Sequence, residues 1–265
     1  MVNRSPAVAG MFYPAKPAKL VENVRGYLDE SDPILLKPSE NRQVKALIVP
    51  HAGYQYSGSI AATAYRLLSK SYGHITRVVL LGPAHRVYVE GMAIPYAEAF
   101  DFPGGSIRLD IPALDAIEQL PGVCVSNEAH AQEHSLEVQL PFLHEVLGEF
   151  QLVPFVVGAC PSSQVGALLD CLWGGPETLI VVSSDLSHYL PYDAACEIDQ
   201  RTSRSIVERS INIDGREACG AHAINGLMVV AREKGLTVDV LNVRNSGDTA
   251  GDRSRVVGYG AYALR

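Results

Sequence analysis

Short apolar runs rich in β-branched residues punctuate the chain, each followed by a polar loop and then by apolar residues at three- and four-residue spacing. The clearest runs are 44–49 (VKALIV), 77–81 (RVVLL), 152–157 (LVPFVV) and 178–182 (TLIVV), with 238–243 (VDVLNV) and 255–263 (RVVGYGAYA) nearer the C-terminus. None shows the period-two alternation of a half-solvated strand, so they predict strands covered on both faces by helices. Helical spacing falls at 18–28, 59–68, 135–146, 193–208 and 221–233. Ser59 follows a glycine and is placed to cap the second of these, and Pro141 bends or interrupts the third. Strands alternating with helices predict an α/β class, an α/β/α sandwich around a mostly parallel sheet, with the last stretch adding an antiparallel edge. No linker or repeat divides the chain, which is expected to form one domain over residues 1–265.

Composition narrows the partners. A net charge of −7 with no basic cluster argues against nucleic acid and anionic membrane as partners. The opening MVNRSPAVAGMFYP lacks the sustained apolar core of a signal peptide, and no apolar run reaches the roughly 18 residues that span a bilayer, so a soluble, cytoplasmic protein is expected. Five scattered cysteines without a CxxC pair argue against a disulfide framework and a zinc ribbon.

The chemistry concentrates at strand ends. His51 lies two residues past the first strand, His85 four past the second, and Asp185 and His188 three and six past the 178–182 strand. Ligands of open parallel sheets bind beyond the carboxyl ends of the strands. For one histidine alone, a loop residue bonded to backbone is the simpler account; three at successive strand ends favour a shared site. Imidazole is the commonest metal-ligating side chain. Two histidines and a carboxylate suit non-haem iron(II), and zinc accepts a similar set with an open position.

Two further clusters bear on that site. In AHAQEHSLEVQLPFL, Glu133 and His134 precede a helix, either as ordinary capping and acidic charge at a helix start or as an acid–base histidine oriented by a carboxylate. In RNSGDTAGD, Asp248 is positioned to supply the carboxylate that a two-histidine site lacks, although these are also ordinary turn residues. GxGxxG, GxxxxGK[ST] and GxSxG are all missing, which leaves nucleotide cradles and a serine-hydrolase elbow unsupported.

At these residues the chain resembles a known family. RSPAVAGMFYP, VPHAGYQYSG, GPAH, EHSLEVQLPFL, SSDLSHY, CGAH and NSGD occur in the order seen in the MEMO family, whose bacterial and archaeal members are often called AmmeMemoRadiSam system protein B. The matched segments run from Arg4 to the C-terminus. The resemblance implies a fold similar to the class III extradiol dioxygenases, which use iron(II). It assigns His51 and His85 as metal ligands, places Asp185 and His188 in the same pocket with His188 as acid–base, and makes His134 a pocket-side residue. Animal members carry a cysteine as a third donor, matched here to the C-terminal loop. There, alignment of the small polar run selects Asp248, and counting back from the C-terminus selects Thr249. Cys219, in CGAH, reads as packing or pocket lining.

The first functional reading is therefore a metal-dependent oxidoreductase, with Fe2+ on His51, His85 and Asp248 (Zn2+ or copper as alternatives). His188, oriented by Asp185, moves protons, with His134 beside it, and the substrate is an unidentified small molecule. The alternatives are a non-catalytic scaffold with a vestigial pocket and a zinc-dependent hydrolase. The resemblance also implies an AMMECR-type protein and a radical SAM enzyme as partners.

Overall fold

The computed structural model describes residues 3–31, 43–71 and 73–265. In chain order the helices are α1 (Pro17–Glu30), α2 (Tyr54–Tyr65), α3 (Ile111–Ile117), α4 (Asn127–Ala131), α5 (Leu140–Leu147), α6 (Ser162–Cys171), α7 (Tyr192–Val207) and α8 (Ala221–Glu233). The strands are β1 (Ala46–Val49), β2 (Arg77–Pro83), β3 (Met92–Ile94), β4 (Ala99–Phe102), β5 (Gly105–Arg108), β6 (Val123–Val125), β7 (Gln151–Val157), β8 (Thr178–Ser183), β9 (His188–Leu190), β10 (Val238–Asn245) and β11 (Val256–Leu264). No helix among the described residues is long and apolar enough to cross a membrane.

The main sheet runs β10-β11-β1-β8-β2-β7-β3-β6, with β9 attached to β11 and a separate β4–β5 hairpin. Strands β1, β8, β2 and β7 pair in parallel and form its centre. Every residue of β1 and β8 is buried, so alternate side chains on both faces are covered, as their unbroken apolar character requires. β11 runs antiparallel to β1 and β10 antiparallel to β11, while β3 is antiparallel to β7 and parallel to β6. The architecture is the α/β sheet flanked by helices that the sequence predicts.

Two helix expectations shift for identifiable reasons. α2 begins at Tyr54, five residues before Ser59, because the backbone carbonyl of Phe12 accepts the Tyr54 N–H at 2.8 Å and serves in place of a side-chain cap. The stretch 135–146 is a 3₁₀ turn at Glu137–Gln139 followed by α5. Pro141 stands in the first turn of α5, where its missing N–H breaks no helical bond, so it opens the helix instead of bending it.

Candidate metal centre

The register of the central strands levels their carboxyl ends. Val49 of β1 pairs with Ser183 of β8, and Leu81 of β2 pairs with Val182. The loops leaving these three adjacent strands carry His51, Asp185 and His85 to one edge. His134 arrives there from the segment between α4 and the 3₁₀ turn. Ser135 fastens that segment, its hydroxyl donating to the Pro83 carbonyl at 3.0 Å and its own carbonyl accepting from Ser183 Oγ at 2.6 Å. A Cβ on Gly82 would come within 2.6 Å of Ser135 Oγ and 2.9 Å of Leu136 Cδ2, so this close passage requires glycine at that strand end.

Three imidazoles result in one group. Donor atoms of His51, His85 and His134 all lie within 4.8 Å of one another. Ring centroids are 5.1 Å apart for His51 and His85, 5.5 Å for His51 and His134, and 4.8 Å for His85 and His134. The group is graded in depth. His51 is 2% exposed, whereas the His134 and His85 side chains are 12% and 28% exposed. Half-buried Phe12 packs against the group, its ring 4.7 Å from that of His134.

The surroundings settle which nitrogens face the group. Ser183 Oγ gives its one proton to Ser135 O and accepts from Gln139 Nε2 at 2.7 Å. The 3.0 Å contact with His51 must therefore be a donation from His51 Nδ1–H, which leaves Nε2 as the lone pair. Likewise His85 Nδ1 donates to Glu133 Oε1 at 2.9 Å and keeps Nε2 free. Glu133 also accepts the backbone N–H groups of His85 (2.6 Å), His134 (2.9 Å) and Ser135 (2.9 Å). His134 Nδ1 lies 3.4 Å from the same carboxylate but makes no hydrogen bond and is buried.

Burial is the first cause of every shift at these histidines. It pushes His51 well below the ordinary imidazole range, helped by the charges of His85, His134 and His188. It brings His134 down to about 4. Burial alone would raise Glu133, but bonds from His85 and the backbone amides outweigh it and hold the carboxyl at about 2. A neutral His51 and a neutral His134 near the ionised Glu133 carboxylate are in the protonation states a cation needs. A carboxylate behind a histidine orients ligands in metal sites. Glu133→Gln is therefore expected to weaken metal binding 10–100-fold with the fold retained, measured by competition with a chromogenic chelator.

Other expected residues take different places. Cys219 Sγ sits 3.4 Å from His51 Nε2 and accepts the Asp185 N–H at 3.3 Å. Two donors on one tetrahedral ion with metal–nitrogen and metal–sulfur bonds of ordinary length stand about 3.5 Å apart, which matches the sulfur–nitrogen spacing here. Burial, then the charge of Asp185, raises the metal-free thiol to about 12. Asp185 Oδ1 accepts the His51 N–H at 2.8 Å, so the carboxylate braces the His51 loop; a bond to His188 is not among its contacts in the described residues. Burial lifts Asp185 to about 7. His188 stands beside the group, lowered by burial and by the His85 charge. Asp248 is outside the three-histidine group. Its oxygens accept from the Tyr192 hydroxyl at 2.6 Å and the Asn245 N–H at 3.1 Å, closing a capping box, and the exposed Thr249 donates to Ser246 O.

The sequence profile of the Memo-like protein family matches residues 4–263. The chain belongs to the MEMO family. A MEMO1 family protein of Methanopyrus kandleri is 34% identical over 286 residues, covering 100% of this chain and 99% of its own length. MEMO1 family proteins of Sulfolobus acidocaldarius and Aquifex aeolicus are 33% and 34% identical, with 97% of both chains covered in each case. Among solved structures, the crystal structure of an uncharacterized protein from Escherichia coli K12 matches 82% of this chain and 99% of its own at a TM-score of 0.51. At 14% identity this similarity shows a shared fold.

A buried network that strand-end positions do not reveal supports the site. Buried Arg4 donates to the Glu137 carboxylate, to Glu133 O at 2.5 Å and to His130 O at 3.1 Å. Glu137 in turn accepts from Ala7 N, Val8 N and the Tyr13 hydroxyl. RSPAVAGMFYP and EHSLEVQLPFL are thus two halves of one buried support for His134. His130 belongs to it as well, with Nε2–H on Ala93 O at 2.9 Å and its pKa lowered by burial to about 4. The folded state holds His130 neutral while the unfolded chain protonates it near 6.5, so stability is lost as pH falls through that window. The unfolding free energy of wild type relative to His130→Gln is expected to fall by about 3 kcal/mol between pH 6.5 and 4, read from urea melts at both ends.

Proposed function

We propose that this chain is a metal-dependent oxidoreductase whose ion is held by His51, His85 and His134, with the Cys219 thiolate as a fourth donor. The observation that carries the reading is the convergence of three imidazole donors within 4.8 Å, two of them with the distal nitrogen fixed by Ser183 and Glu133. The 3.4 Å approach of Cys219 Sγ to the free Nε2 of His51 fits two donors on one ion. Histidine nitrogens suit iron(II), zinc and copper alike, and added sulfur favours the softer ions. Bound there, iron(II) would supply one-electron chemistry with dioxygen, and zinc would supply Lewis acidity toward water.

The remaining steps belong to the protein. His188, depressed by burial, is an unprotonated base at neutral pH and takes a proton from a ligand entering on the His85 side. Phe12 covers one side of the His134 ring. Asp185 and Glu133 hold the loops carrying His51 and His85 at fixed separation.

Anaerobic loading with iron(II), zinc or copper followed by desalting and metal analysis tests the reading. About one equivalent of iron retained, with dioxygen uptake that His188→Gln reduces, supports it. Preferential retention of zinc with no dioxygen uptake would overturn the redox assignment in favour of hydrolysis.

A further inference from the structure

β9 pairs with β11 through Leu190–Val256 and His188–Val257, so Tyr189 is the extra residue of a β-bulge. Its φ of 59° lies in the left-handed region, where such bulges ordinarily place glycine. A bulky aromatic residue there is strained, and strain of this kind persists only where the surroundings enforce it. Burial of the ring does not compensate, because Tyr189 is 63% exposed. Bulges next to active sites re-aim side chains, and this one lies between the site-side His188 and the surface.

The position of the ring explains what is aimed. Its centroid is 5.9 Å from that of His188 at an interplanar angle of 68°, and the Arg255 guanidinium stands 5.3 Å above it. Asp252, the nearest acid in the Arg255 loop, accepts the Ser254 N–H at 2.7 Å. Exposed Arg86 follows His85 directly in the chain. The acids of the pocket, Glu133 and Asp185, are buried behind the imidazoles and bonded to backbone amides. Arg255 and Arg86 thus put positive charge beside Tyr189 and beside His85 on a chain whose net charge is −7.

We propose that Tyr189 and Arg255 form the recognition lip of the histidine pocket, with Arg86 next to His85 adding positive charge, and select a small organic anion. The guanidinium fork takes the anionic group, and the Tyr189 ring, stacked under Arg255, offers a flat wall to the carbon skeleton. This deepens the metal-site reading and rests on it, since the lip has a use only if the pocket receives a ligand. Arg255 and Tyr189 act as specificity-determining residues, and the metal donors do not depend on them.

Benzoate, benzyl alcohol and inorganic phosphate serve as probes, titrated by ligand-observed NMR into zinc-loaded and metal-free protein. Benzoate is expected to bind at least tenfold more tightly than benzyl alcohol. Its affinity is expected to fall at least tenfold in Arg255→Gln and in Tyr189→Gly, and both variants should retain zinc as wild type does. Tyr189→Gly should also melt at the same temperature as wild type or higher, because glycine relieves the backbone. Benzoate affinity unchanged in both variants, or no benzoate binding to wild type, overturns the proposal. So does a lower melting temperature of Tyr189→Gly with binding intact, which makes the tyrosine structural. Phosphate binding that neither variant alters counts against the lip as well. Failure of wild type to retain zinc would sink the metal reading instead, and the metal-free titration still decides the lip.

Discussion

Replacing Arg4 with alanine is expected to destabilise the protein by about 3–5 kcal/mol, the usual cost of removing one partner from a buried ion pair. The Arg4 and Glu137 side chains are 6% and 0% exposed, so the carboxylate left behind has no solvent to turn to. Glu137 would keep Ala7 N, Val8 N and the Tyr13 hydroxyl but lose its counter-charge. Arg4 also closes the carbonyls of His130 and Glu133, which would be stranded at the root of the His134 segment. Arg4→Lys is expected to recover only part of the loss, because an ammonium cannot reproduce the planar fork that spans three acceptors. The double variant with Glu137→Gln should cost less than the sum of the single changes, since it removes the orphaned charge. Urea melts of the four proteins check this. Additive losses would show that Arg4 and Glu137 do not act as a pair.

The second large effect is expected at the metal donors. His51→Ala should weaken metal binding by more than the 10–100-fold expected for the supporting Glu133, because it removes the deepest donor and the one nearest Cys219. Asp248→Ala should leave metal binding unchanged, since that carboxylate is held by Tyr192 and Asn245. Its cost is expected to appear as a modest loss of stability from the broken capping box. Chelator competition on both variants separates the two assignments. Loss of metal in Asp248→Ala with retention in His51→Ala would reverse them.

How far the sequence led follows from the reach of its signals. The unbroken apolar runs mark β1, β2, β7 and β8 because strands buried on both faces tolerate nothing else. The periodicity at 221–233 coincides with α8. β3, β6 and β9 are three residues each, too short for any period to register. At the site, the strand-end rule draws attention to His51 and His85, which the fold does bring to one edge. The nearness of His134 depends on Ser183 reaching Ser135 across 48 residues and on the missing Cβ of Gly82, and neither is visible in local spacing. Asp248 has the right residue type in a loop after a strand, but β10 lies two strands from β1, and its loop bonds to itself. Cys219 precedes α8, and its approach to His51 depends on the Cys219 N–H bonding Asp185 O at 3.2 Å and on Gly220 packing against Ser184.

The most direct measurement is a calorimetric titration of metal-free, anaerobically prepared protein with iron(II), and separately with zinc. Three converged imidazoles and a thiol predict saturable binding of one ion per chain, abolished in His51→Ala and accompanied by proton release from Cys219. No saturable binding of either ion to the folded wild-type protein would contradict the account.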